Sequence, residues 1–97
     1  MANEHGDKKV EVAVVTTAGS FPKTGFEEVP VNQKVEVVLK KASHQLHIAD
    51  TTGWVAKVNG TAIDITKSYA ELGLHGEVEI DWGKPEGGGG AYARGTL

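Results

Sequence analysis

A single apolar stripe with the period of an α-helix lies between segments whose hydrophobic residues alternate at every second position. Its members fall within about 100° of one another on a helix, which is one core-facing side. They are Val35, Val38, Leu39, Ala42 and Leu46, while Val37 points away from them. Asn32 precedes the stripe and is a good N-cap, so the pattern predicts a helix over residues 32–46. A lone helix with one apolar face needs a sheet to cover.

Five segments are predicted to be β-strands, because apolar and polar residues alternate in them or because residues that favour turns flank them. They are residues 10–14, 26–31, 54–58, 61–65 and 77–82. Asn59-Gly60 predicts a tight hairpin, because a type I′ turn requires positive φ at both positions. Ser68 is predicted to cap a single helical turn that ends at Gly73.

The last of these segments has the cleanest alternation in the chain. Three acidic residues alternate with three apolar ones, namely Glu77, Glu79 and Asp81 with Val78, Ile80 and Trp82. Neighbours on both sides are needed to bury the apolar set, so we place this strand in the middle of the sheet and its acidic set on a solvated outer face.

The predicted fold class is α+β, with a mixed sheet of about five strands and the main helix across one face. The folded domain is expected to cover residues 9–82. Residues 1–8 have no apolar face to dock, and residues 83–97 contain six of the thirteen glycines. We therefore expect a flexible N-terminus over residues 1–8 and a flexible glycine-rich tail over residues 83–97.

Composition argues against several classes of function. The chain has no cysteine, which excludes disulfides, a thiolate nucleophile and cysteine-based metal sites. Its net charge of −3 and the lack of a basic block argue against a nucleic-acid partner. The first residues have no apolar core typical of a signal peptide, and no run approaches the roughly 18 apolar residues of a membrane span. We expect a cytoplasmic monomer with no membrane partner.

Histidines and serines provide no reaction centre in this sequence. His44 and His47 are three residues apart on the predicted helix, a spacing that can chelate a metal. His44 lies opposite the apolar stripe, and no carboxylate cluster joins the pair, so we interpret both as a solvated helix end. No serine lies in a nucleophile motif. The sequence predicts no catalytic residue, no metal and no cofactor.

Four consecutive glycines follow the last predicted strand: Gly87, Gly88, Gly89 and Gly90. They are not a P-loop, because neither a Lys-Ser/Thr pair nor a helix follows them. Composition alone indicates a flexible linker. Their position just beyond the final strand of a small hairpin–helix–hairpin–strand domain supports a second interpretation.

This arrangement resembles the ubiquitin-like β-grasp fold over residues 9–82. The similarity rests on the order of the elements, on the first strand and the helix, and on Leu72-Gly73-Leu74 before the final strand. More narrowly, the string from Gly53 to Gly60 and the glycine-rich end after the final strand resemble the bacterial multiubiquitin group. Members of that group are encoded with E1-like, E2-like and JAB-type protease partners.

The resemblance implies a bacterial protein modifier that is made as a precursor. A JAB-type protease would remove the extension from Ala91 to Leu97, with Gly88 and Gly90 as the favoured new termini. An E1-like enzyme would adenylate the exposed glycine with ATP, and an E2-like enzyme would help to pass it to an amine of a target protein. Two alternatives stay open: a sulfur carrier with a C-terminal thiocarboxylate, and a non-conjugated β-grasp interaction module.

Two features depart from the ubiquitin pattern. Lys84-Pro85-Glu86 stands where basic residues usually precede the glycines, so the contacts with an activating enzyme must differ. The acidic residues of the final strand also lie where a hydrophobic recognition patch would be expected.

Overall fold

The computed structural model describes residues 8–85, which form six strands and one helix. The elements are β1 (Lys9–Thr16), β2 (Gly19–Phe21), β3 (Glu27–Pro30), α1 (Val35–Gln45), β4 (Val55–Val58), β5 (Thr61–Ala62) and β6 (Glu77–Gly83). This mixed sheet with one helix confirms the predicted α+β class, with six strands in place of about five. Within residues 8–85, no helix is long and apolar enough to cross a membrane.

The strands form one sheet in the order β2-β1-β6-β4-β5, and β3 also pairs with β1. β1 and β6 are parallel, with Val12 opposite Val78 and Val14 opposite Ile80. The other pairs are antiparallel. β6 therefore lies between β1 and β4, in the middle of the sheet, as its alternation predicts.

The first hairpin contains one strand more than predicted. β1 pairs with β3 near its start, where Val10 faces Val29, and with β2 near its end, where Val14 faces Phe21. The predicted strand over residues 26–31 is thus confirmed as β3, whereas β2 falls in a segment that the sequence predicts as a loop. Its three residues are too few to show a period of their own.

The helix begins at Val35, so the predicted N-cap at Asn32 is wrong. The residue before the helix makes no side-chain capping bond. Instead, the N–H groups of Val35 and Glu36 donate to the carbonyls of Lys67 and Ile65, at 3.0 Å in each case. Carbonyl groups of a loop that is distant in sequence thus accept the hydrogen bonds that a capping side chain would otherwise accept.

The helical phase agrees with the predicted stripe. Four of its members are buried on the sheet, namely Val35, Val38, Leu39 and Ala42. Leu46, just past the end of the helix, is half-buried. Val37 is 37% exposed, which confirms that it points away from the core.

Local turn chemistry connects the remaining elements as predicted. Asn59 and Gly60 have φ values of 54° and 82° between β4 and β5, which confirms the tight hairpin. Farther on, the Glu71 N–H donates to the Ser68 hydroxyl at 3.1 Å, and the Ser68 N–H donates to the Glu71 carboxylate at 2.9 Å. This reciprocal capping box confirms Ser68 as the cap of the turn.

The capping box makes stability depend on pH. The hydrogen bond from the Ser68 N–H lowers the pKa of Glu71, so the carboxylate stabilises the fold above its unfolded pKa and loses that effect as pH falls through the folded pKa. We expect Glu71→Gln to be less stable than the parent at pH 7 and equal to it at low pH. Urea melts at pH 7 and pH 3 measure this, and a pH-independent difference would contradict it.

The core contains a tyrosine whose hydroxyl is left without a partner. Tyr69 is fully buried among the apolar residues of the sheet and helix. Its Oη forms no hydrogen bond with any group in the described part of the chain. Burial, together with the negative charge of Glu27, raises the pKa of Tyr69, so the phenol stays protonated at neutral pH.

Tyr69→Phe is therefore expected to stabilise the protein. The substitution keeps the buried ring and removes a hydroxyl that lost its water on folding, a gain of about 1 kcal/mol. The midpoint of urea unfolding should rise, with an unchanged slope. A fall in the midpoint would show that the hydroxyl has a stabilising partner.

Candidate functional site

The chain leaves the sheet from its central strand. β6 runs through Gly83, one residue beyond the predicted end, and Lys84 and Pro85 complete the described part of the chain. The predicted processing and conjugation residues, Gly87 to Gly90, lie outside the described residues, as does the extension from Ala91 to Leu97. The structure therefore defines the surface from which this segment departs.

A groove of about 640 Å³ lies beside this departure point. We name it the exit groove. Residues from β1, from β4 and its preceding turn, and from β6 line it, including Val15, Trp54, Val55, Lys57, Asp81 and Gly83. Most of them alternate with the buried core residues, which places the groove on the outer face of the sheet, away from the helix.

Two tryptophans and a pair of charged residues border the exit groove, and one of the tryptophans, Trp82, belongs to the buried core. The rings of Trp54 and Trp82 meet edge to face, with centroids 5.1 Å apart and planes at 76°. This pair fixes the start of β4 against the end of β6. Lys57 and Asp81 are cross-strand partners beside the groove, and their side chains carry charges of opposite sign.

An acidic row crosses the outer face farther from the groove. Glu11 lies directly opposite Glu28 on β3 and opposite Glu77 on β6. All three side chains are exposed, as is Glu79. Like charges in facing positions destabilise a sheet, so this row costs stability. The sequence predicts the acidic face of β6 correctly, but only the strand register reveals that β1 and β3 extend it.

The histidines do not form a cluster with other ligands in the described residues. His44 is exposed near the end of α1, and His47 follows it in the left-handed region with φ of 58°. His75 is exposed in the turn before β6. Across residues 8–85, no group of three or more His, Cys, Asp or Glu side chains is placed to hold a metal ion.

Comparison with known proteins relates the chain to ubiquitin by fold. No family model and no curated protein matches its sequence. A designed protein based on ubiquitin superposes with a TM-score of 0.63 at 18% identity, covering 94% of this chain and all of the designed one (100%). Ubiquitin from Caldiarchaeum subterraneum gives 0.56 at 17% identity, covering 84% of this chain and 99% of that ubiquitin.

A ubiquitin-like domain from an Arabidopsis thaliana protein gives the same result. Its TM-score is 0.58 at 18% identity, covering 84% of this chain and 83% of that domain. The sheet order, the single helix and the structural neighbours together show that the chain has the ubiquitin-like β-grasp fold.

Proposed function

We propose that this chain is a bacterial ubiquitin-like protein modifier of the multiubiquitin type. It is made as a precursor, a JAB-type protease trims it to a C-terminal glycine, and an E1-like enzyme activates that glycine. An E2-like enzyme then helps to transfer it to an amine of a target protein. The chain itself supplies no catalytic residue, acts in the cytoplasm and is a monomer.

The observation that carries this proposal is the relation between β6 and the glycines. β6 fills the centre of the sheet and ends at Gly83, so the sheet is complete before the glycine run begins. Seven residues, 84–90, follow Gly83 up to the end of that run at Gly90. They can span at most about 25 Å, which is enough for the new carboxylate to enter the active site of another protein.

The chemistry accounts for the glycines. In the first step, a carboxylate oxygen attacks the α-phosphorus of ATP, which forms an acyl-adenylate and releases pyrophosphate. The acyl group then leaves AMP for an enzyme nucleophile and ends as an amide on the target amine, which loses a proton. Each transfer needs the carbonyl to enter a narrow channel, where a Cβ would obstruct the chain.

The intact mass of the protein from its own cells tests the proposal. A modifier is expected to have lost residues 91–97 and to occur in covalent adducts with other proteins. A sulfur carrier would lose those residues and exchange one oxygen for sulfur. A chain that keeps every residue and forms no adduct would contradict the proposal and favour a non-conjugated interaction module.

A further inference from the structure

Asn59 and Gly60 have a chemical reactivity that the proposed function does not use. An asparagine followed by glycine is prone to lose its side-chain amide, because glycine has no Cβ to keep its backbone nitrogen away from the asparagine Cγ. Both residues are exposed in the two-residue loop between β4 and β5. A Cβ placed on Gly60 would meet no atom within 4 Å, so this loop projects into solvent.

The reaction of this pair needs only water. The Gly60 nitrogen attacks Asn59 Cγ, and the new C–N bond closes a five-membered succinimide ring. The C–N bond of the side-chain amide breaks, and ammonia leaves with the proton that the Gly60 nitrogen has lost. Water then adds to one of the two ring carbonyls and opens the ring to aspartate or isoaspartate. Either product changes the net charge of the chain from −3 to −4.

The hairpin turn holds the reacting atoms apart. Asn59 and Gly60 have φ values of 54° and 82°, which are those of a type I′ turn. In such a turn the first central residue has ψ of about 30°. The Gly60 nitrogen and the Asn59 Cβ then lie on nearly opposite sides of the Asn59 Cα–C bond. Ring closure requires both atoms on the same side, so the turn must open before the succinimide can form.

Few contacts hold β5 on the sheet. It lies at the end of the strand order and consists of two exposed residues, Thr61 and Ala62. Both pair with β4, and just beyond them the Ile63 N–H donates to the Ala56 carbonyl at 2.9 Å. An edge element of this kind opens at a much lower free energy than the core. The turn can therefore open while the rest of the sheet stays folded.

We propose that Asn59 is a modification site that deamidates without an enzyme, at a rate set by opening of the β4–β5 hairpin. Both products weaken this hairpin. Isoaspartate adds a backbone carbon to a loop whose two-residue length fixes the register. Aspartate adds a negative charge to a cavity of about 260 Å³ that Asn59 lines together with Glu77 and Glu79. This modification does not depend on the proposed function.

Peptide mapping of aged protein tests the proposal. Purified full-length chain is incubated at pH 8 in buffer and in guanidinium chloride, and mass spectrometry of the tryptic peptide 58–67 gives the fraction of Asn59 converted. We expect the folded chain to react at least about tenfold more slowly than the unfolded chain, because minor open states have populations of about 0.1–10%. Asn32, which Gln33 follows, is the internal control and should keep its amide in the folded chain. Equal rates in the two solvents, or no conversion of the folded chain, would overturn the proposal.

Ala62→Val and Ala62→Gly form a matched pair that changes the hairpin but leaves Asn59-Gly60 intact. Valine favours a strand and glycine disfavours one, so the first variant should open less often than the parent and the second more often. We expect the folded variants to deamidate about threefold more slowly and about threefold faster than the parent, respectively. All three chains should react at one rate in guanidinium chloride. Identical rates for the three folded chains would show that hairpin opening does not set the rate, and the proposal would fail.

Discussion

Leu39→Ala is expected to lower the free energy of unfolding by about 2–4 kcal/mol, the usual range for truncation of a large core side chain. Leu39 is 2% exposed and lies among the buried residues of α1 that cover the sheet. The substitution removes apolar contacts and leaves a cavity. The strands beneath the helix cannot move to close this cavity, because hydrogen bonds hold them in one sheet. Urea unfolding followed by tryptophan fluorescence measures the loss.

Val37→Ala is the matched control on the same helix. Its side chain is 37% exposed, so truncation leaves no cavity and should cost under about 1 kcal/mol. Alanine also has the higher helix propensity, which offsets part of the lost contact. Equal losses for the two variants would show that the covering side of α1 has been assigned to the wrong residues.

The largest functional effect is expected from the C-terminal glycine. When an E1-like enzyme from the same cells activates the carboxylate reversibly, labelled pyrophosphate is incorporated into ATP. The rate of this exchange is the measurement. Chains ending at Gly88, Gly89 and Gly90 are compared with the full-length chain. We expect one truncated chain to support exchange and the full-length chain to support none, because its glycine carbonyls are still in peptide bonds.

Removing the terminal glycine from the active chain should abolish exchange. The reacting carbonyl would then lie about 3.5 Å short of the nucleotide, a displacement that prevents reaction in a preorganised site. The fold should be unaffected, since β6 ends at Gly83. Equal urea midpoints for all chains provide the control. Exchange by the full-length chain at the rate of every truncation would refute the precursor proposal.

The elements that sequence predicts best are those whose signal is local. The alternation of β6 places its apolar and acidic sets correctly, and Asn59-Gly60 specifies its hairpin through the backbone alone. The start of α1 could not be found in this way. Its first N–H groups donate to the carbonyls of residues 65 and 67, about thirty positions farther along the chain. No side chain close in sequence therefore marks the residue at which the helix begins.

The candidate site likewise has one part that is visible in the local sequence and another part that depends on pairing between distant strands. Gly87 to Gly90 are visible as a sequence motif, and their proposed role follows from their place after the last strand. The exit groove and the acidic row require the register of β1, β4 and β6, which joins residues far apart in the chain. Gly83 shows the difference, because its φ lies outside the positive range that the turn glycines adopt, and only the structure reveals that.

The parallel pairing of β1 with β6 also determines how the newly made chain reaches its native state. The two central strands come from the first and last elements of the fold, so β1 leaves the ribosome long before its partner exists. Until β6 has been synthesised, one edge of β1 and its three core valines lack their native neighbour. Folding therefore finishes only after translation of the last strand, and during that interval the nascent chain is open to aggregation and to chaperone binding.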